Sequence, residues 1–119
     1  MLSAVRSATE LAVDIIRLTN KFPPEERFVL TKNLRDLALT VLEFTALGMA
    51  RFDIPHRYNF LAQAMKSLVE LNSQCMLCRT MRYITIEDHA EIVKSMKLLR
   101  KQLLSIARNV SRIDISIPP

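Results

Sequence analysis

With 119 residues, the chain can build one domain around one core and is too short for two. Half of it is apolar and 24% is charged, which excludes a disordered chain, while a single Gly argues against β-hairpins and the Gly-rich loops of nucleotide-binding folds. The 17 Lys and Arg outnumber the 12 Asp and Glu, and this net charge of +5 favours an anionic partner.

The first predicted helix runs from about Ser3, a candidate N-cap, to Asn20. Its apolar stripe is Ala8, Leu11, Ile15 and Leu18, continuing to Phe22. Lys21-Phe22-Pro23-Pro24 ends it, because Pro lacks the amide and restricts the residue before it. The second helix opens at Pro24-Glu25-Glu26, where a Pro and two acids suit the positive helix end. Leu30, Leu34, Leu37, Val41, Phe44 and Gly48 carry it to about Arg51, a span of roughly 40 Å. Gly48 lies on that stripe, where a missing side chain lets another backbone come close.

Phe52-Asp53-Ile54-Pro55 is the next break, with Asp53 as cap and Pro55 in the first turn of the third helix. Leu61, Ala64, Leu68, Leu71, Cys75 and Cys78 form its stripe, and it ends around Arg82-Tyr83. Thr85-Ile86-Glu87-Asp88 opens the fourth helix as an acidic variant of the capping box. Ile92, Met96, Leu99, Leu103, Ile106 and Val110 follow on one face, and after Arg112 the segment 113–119 is expected to be a non-helical tail. Residues 1–112 therefore read as an all-α, antiparallel up-down four-helix bundle. No apolar run approaches the ~20 residues of a membrane span. Arg6 and Glu10 make the start unlike a secretion signal, so the two Cys are expected to be free thiols in a reducing, cytoplasmic setting.

Little in the sequence supports catalysis. Cys75 and Cys78 form a C-x-x-C on an apolar stripe, with no second thiol pair and no preceding strand, so they read as core rather than as a zinc or redox site. His56 and His89 lie near helix starts, where neutral surface His is ordinary. No Walker loop, G-x-S-x-G or correctly spaced Glu-x-x-His occurs, and the chain is expected to be no enzyme and to hold no cofactor or metal.

The basic residues say more. Lys94, Lys97, Lys101, Arg108 and Arg112 fall within about 60° of one another on the fourth helix, with Arg100 at the flank and the apolar stripe almost opposite. No acid lies between Lys94 and Val110. Like charges along one face oppose the fold by a few tenths of a kcal/mol per pair, so their clustering points to an anion. That face lacks the Trp and Phe wedges of a membrane helix, and few aromatics remain to stack on bases. Contact with a nucleic-acid backbone is the expected mode, with little sequence preference. Arg79 and Arg82, at the end of the third helix, add weakly to this because cations also suit a negative helix end.

The string Phe22-Pro23-Pro24-Glu25-Glu26-Arg27-Phe28-Val29-Leu30-Thr31, followed by Leu34-Arg35, resembles a known family. These are the small bacterial four-helix bundle proteins first noticed as products of intervening sequences in 23S rRNA genes, among them the accessory variability determinant (Avd) of diversity-generating retroelements. The likeness continues through Ala38, Ala46, Gly48 and Arg51, then Phe60-Leu61, Ala64, Ser67-Leu68, Glu70-Leu71, Gln74 and Tyr83-Ile84, about two-thirds of the chain. Where the intervening-sequence branch has Pro and then Asn-Ile-Ala-Glu-Gly, this chain has Leu42-Glu43-Phe44-Thr45-Ala46-Leu47-Gly48, and where that branch has a Gly before Ser-Leu it has Lys66. Leu42-Glu43-Phe44 looks more like the retroelement branch.

The resemblance implies a basic homopentamer. In the Avd branch it also implies a reverse transcriptase and its template RNA or cDNA as partners, with no activity of the protein's own. It gives Glu26, Arg27 and Arg35 two readings: salt links that fix register, favoured for Glu26 and Arg27, or phosphate contacts by the two arginines. The competing reading of the whole chain is a structural oligomer with no nucleic-acid role.

Overall fold

The computed structural model describes the backbone of residues 2–50 and 55–116 and the side chains of 3–50 and 55–109. Four helices account for most of it: α1 (Leu2–Thr19), α2 (Lys32–Met49), α3 (Arg57–Thr80) and α4 (Ile86–Ser116). No strand occurs among the described residues. Each helix packs on its neighbour in sequence and α4 closes the ring against α1, so one core runs down the middle of an all-α four-helix bundle.

The apolar stripes enter that core as the periodicity predicts. Ala8, Leu11 and Ile15 from α1 meet Leu34, Ala38 and Val41 from α2, Leu61, Leu68 and Leu71 from α3, and Ile92, Met96, Leu99 and Leu103 from α4. Each buried Leu or Ile contributes about 1.5–3 kcal/mol relative to exposure. Gly48 shows the tightest fit. A Cβ there would stand 2.8 Å from Leu61 Cδ2 and 3.1 Å from its Cγ, so it is chiefly a side chain, not a backbone, that the missing methyl admits.

The helix boundaries differ from the sequence reading in several places. Ser3 lies inside α1 rather than capping it. The Pro24 start is a 3-10 turn (Pro24–Glu26) and then a wide π turn (Arg27–Thr31), and only from Lys32 does the chain become α-helical. Pro23 is held extended by the Pro after it, and the wide turn buries Leu30 and Thr31 while leaving Phe28 79% exposed. Pro55 precedes α3, whose N-cap is His56. α4 stays helical through Ser116, past Arg112, where the tail was expected to begin. Arg51, the Asp53 cap and residues 117–119 lie outside the described residues, as do the side chains of Val110 and Arg112.

The connections are stapled by polar and aromatic contacts. Arg35 on α2 ties down the end of α1, its Nε donating to Thr19 Oγ1 (2.9 Å) and its Nη2 to Asn20 Oδ1 (2.7 Å) and the Ile16 carbonyl (3.4 Å). A guanidinium here also suits the negative end of α1. At the same end of the bundle Tyr83 donates from its hydroxyl to Glu26 Oε2 (3.0 Å) and packs its ring on Phe22, with centroids 5.6 Å apart. Thr85 caps α4 as expected, its Oγ1 accepting from the Asp88 amide at 3.0 Å.

α3 ends in a Schellman motif: the Tyr83 amide donates to the Cys78 carbonyl (2.9 Å) and the Arg82 amide to the Arg79 carbonyl (3.0 Å). The left-handed position of that motif is occupied by Arg82, at φ 63°, where Gly is usual. For a residue with a Cβ this conformation costs roughly 1–2 kcal/mol.

Candidate nucleic-acid interface

One stripe of α4 faces the core and the opposite one, which carries the cations, meets water. Lys94, Lys97, Arg100, Lys101 and Arg108 are all exposed on it. Lys97, Arg100, Lys101 and Arg108, with Leu104, line one shallow surface cavity of about 320 Å³, so the structure brings these four together. Lys94 stands one turn before them and Arg112 belongs to the undescribed side chains. Within the described residues the single ion pair is Lys32–Asp36 on α2, so no carboxylate lies within salt-bridge distance of the α4 cations.

Beside this stripe runs a groove of about 210 Å³ between α3 and α4, which sequence periodicity did not reveal. Its floor is apolar, with Met65, Val69, Val93 and Met96, and Lys97 and Arg100 stand on its rim. The outer face of α3 is unusually apolar, with Val69, Met76 and Leu77 exposed.

The remaining singled-out residues find structural roles. Cys75 and Cys78 are free and fully buried. Burial first, and the proximity of Cys78 second, pushes the Cys75 thiol up to about 12; burial first, and Glu26 second, pushes Cys78 up to about 11. Both therefore stay protonated at neutral pH and act as small apolar core residues. Among the described residues no group of three or more His, Cys, Asp or Glu is placed to hold a metal ion.

His89 is not the surface residue expected: it is 7% exposed, with Nδ1 3.5 Å from Arg79 Nη1 and Nε2 without a partner. Desolvation, and then the Arg79 charge, lowers its pKa, so the ring is neutral. His56 is exposed beside Phe60. Glu26 binds Tyr83 rather than Arg27, and Arg35 is spent on the end of α1, so the structure gives neither a Glu26–Arg27 link within the chain nor a free Arg35.

Against known families, the model described as 23S rRNA-intervening sequence protein matches residues 1–105. The chain belongs to this family. The match takes in all of α1, α2 and α3 and most of α4, including Lys94 to Lys101. No curated protein matched the chain. No described helix is long and apolar enough to cross a membrane.

Proposed function

We propose that this family member is a non-enzymatic scaffold that binds the phosphate backbone of RNA or cDNA along the outer face of α4. One observation carries the reading: Lys97, Arg100, Lys101 and Arg108 converge on one surface cavity, with no carboxylate among the described residues close enough to neutralise them. Folding gains nothing from such a cluster, whereas a polyanion gains counterion release. The bundle that presents it is taken to be antiparallel and up-down, since sequence neighbours pack together and the connections are short.

The likeness of Leu42-Glu43-Phe44 to the retroelement branch supports the narrower proposal of an Avd-type accessory protein. In that role it would be a homopentamer that bridges a reverse transcriptase and its template during mutagenic copying. Two protonated thiols deep in the core suit a reducing cytoplasm. The test is RNA binding by the purified protein and by Lys97/Lys101/Arg108→Glu. Loss of binding by the variant supports the stripe; equal affinity overturns it.

A second reading, a structural oligomer that ignores nucleic acid, is favoured by Phe28, Val29 and the apolar outer face of α3, all exposed in the single chain. On that reading the α4 cations meet acids of a neighbouring copy, and light scattering finds an oligomer whose mass RNA does not change.

A further inference from the structure

We propose that Arg79 and Arg82, together with Lys21, form a binding site for a phosphate oxyanion at the corner where α3 turns into α4. The three cations line one surface cavity of about 540 Å³ together with Thr80, Thr85 and Asp88. They come from two parts of the chain: Lys21 follows α1, while Arg79 and Arg82 share the end of α3, Arg79 in its last turn and Arg82 as the left-handed residue of its Schellman motif. Three positive side chains thus face one carboxylate, Asp88. No ion pair among the described residues ties any of them down.

The backbone strengthens the case. The Schellman hydrogen bonds at Tyr83 and Arg82 already satisfy the last carbonyls of α3, and Gly would make them without strain. An Arg at φ 63° is thus a strained choice at this position, and its side chain lines the cavity. Arg79 Nη1 also lies 3.5 Å from Nδ1 of buried His89, which does not itself line the cavity. The corner is further fixed by the Tyr83–Glu26 hydrogen bond and the Phe22–Tyr83 contact. Lys21 also borders a neighbouring cavity that holds Asp14 and Glu91, so the two arginines are the principal ligands. Two planar forks on a braced turn suit the tetrahedral oxygens of phosphate better than lysines on a helix face do.

The site stands without the α4 stripe, and the experiment keeps the two apart. Amide and Arg side-chain NMR signals are followed while pyrophosphate, or a short RNA, is added at fixed ionic strength. The proteins compared are wild type, Arg79→Gln, Arg82→Gly and the stripe variant Lys97/Lys101/Arg108→Glu. Saturable shifts confined to Lys21 and to Arg79–Asp88 are expected in wild type and in the stripe variant, with roughly tenfold weaker binding after loss of either arginine.

Arg82→Gly should meanwhile melt about 4 °C or more above wild type, which separates lost binding from lost folding. Saturation by pyrophosphate identifies free phosphate groups as sufficient; saturation by RNA alone assigns the site to the nucleic-acid backbone. Absence of saturation with both probes, or an affinity in Arg79→Gln and Arg82→Gly equal to that of wild type, overturns the proposal.

Discussion

The α4 stripe makes a quantitative prediction about salt. Lys94, Lys97, Arg100, Lys101 and Arg108 are exposed, and no carboxylate among the described residues pairs with them. If each neutralises one phosphate, the slope of log affinity against log salt is about −4.5 on duplex and about −3.5 on a single strand. Raising salt from about 50 to about 200 mM then weakens duplex binding roughly 500-fold and single-strand binding roughly 100-fold.

Lys97/Lys101/Arg108→Gln leaves two of the five cations, which reduces the same losses to about tenfold. These side chains are exposed, so the triple variant should keep its stability within about 0.5 kcal/mol per site. Fluorescence anisotropy of labelled RNA and duplex across a salt series reads the slope directly, and circular dichroism checks the fold. A slope that stays the same in the triple variant refutes the reasoning, because the counterions would then be released elsewhere.

Other predictions concern the scaffold. Gly48→Ala gains about 1 kcal/mol of helix propensity but drives a methyl into buried Leu61, at a cost of about 1–3 kcal/mol. Urea unfolding should show net destabilisation, and a variant more stable than wild type would deny the close approach. Thr85→Ala removes the cap of α4 and should cost about 0.5–2 kcal/mol by the same assay, while Thr85→Ser should cost little.

The thiols predict a pH dependence. Cys75 and Cys78 hold their protons more tightly in the fold, up to about 12 and about 11, than at the ordinary thiol value of 9.0. Their contribution is therefore intact below pH 9.0 and is lost as pH rises from there toward the folded values. Unfolding midpoints that hold steady from pH 8 to above pH 10 would contradict this, as would rapid thiol modification of the native protein near pH 8.

Much of this protein was legible before any coordinate. Three-four spacing alone put Leu11, Ile15, Leu34, Leu61, Leu99 and Leu103 in the core, because a helix turns every 3.6 residues whatever surrounds it. The same geometry put Lys97, Lys101 and Arg108 on the opposite face, and capping chemistry marked Thr85.

What the tertiary structure decided are the contacts between elements distant in sequence, for which local periodicity holds no information. His89 lies three residues before Ile92 and its burial follows the α4 stripe, but only the docking of α3 on α4 sets Arg79 Nη1 3.5 Å from its ring. Arg35 spends its guanidinium on the end of α1 because α2 packs there, and Glu26 meets Tyr83 across 57 residues of chain. Arg82 takes a left-handed turn that composition would assign to Gly, and this turn brings it beside Arg79 and Lys21. A sequence specifies which face of each helix is dry, since that depends on a few residues up and down the chain. Which charged groups end up as neighbours depends on how the helices dock, and only the packed bundle determines that.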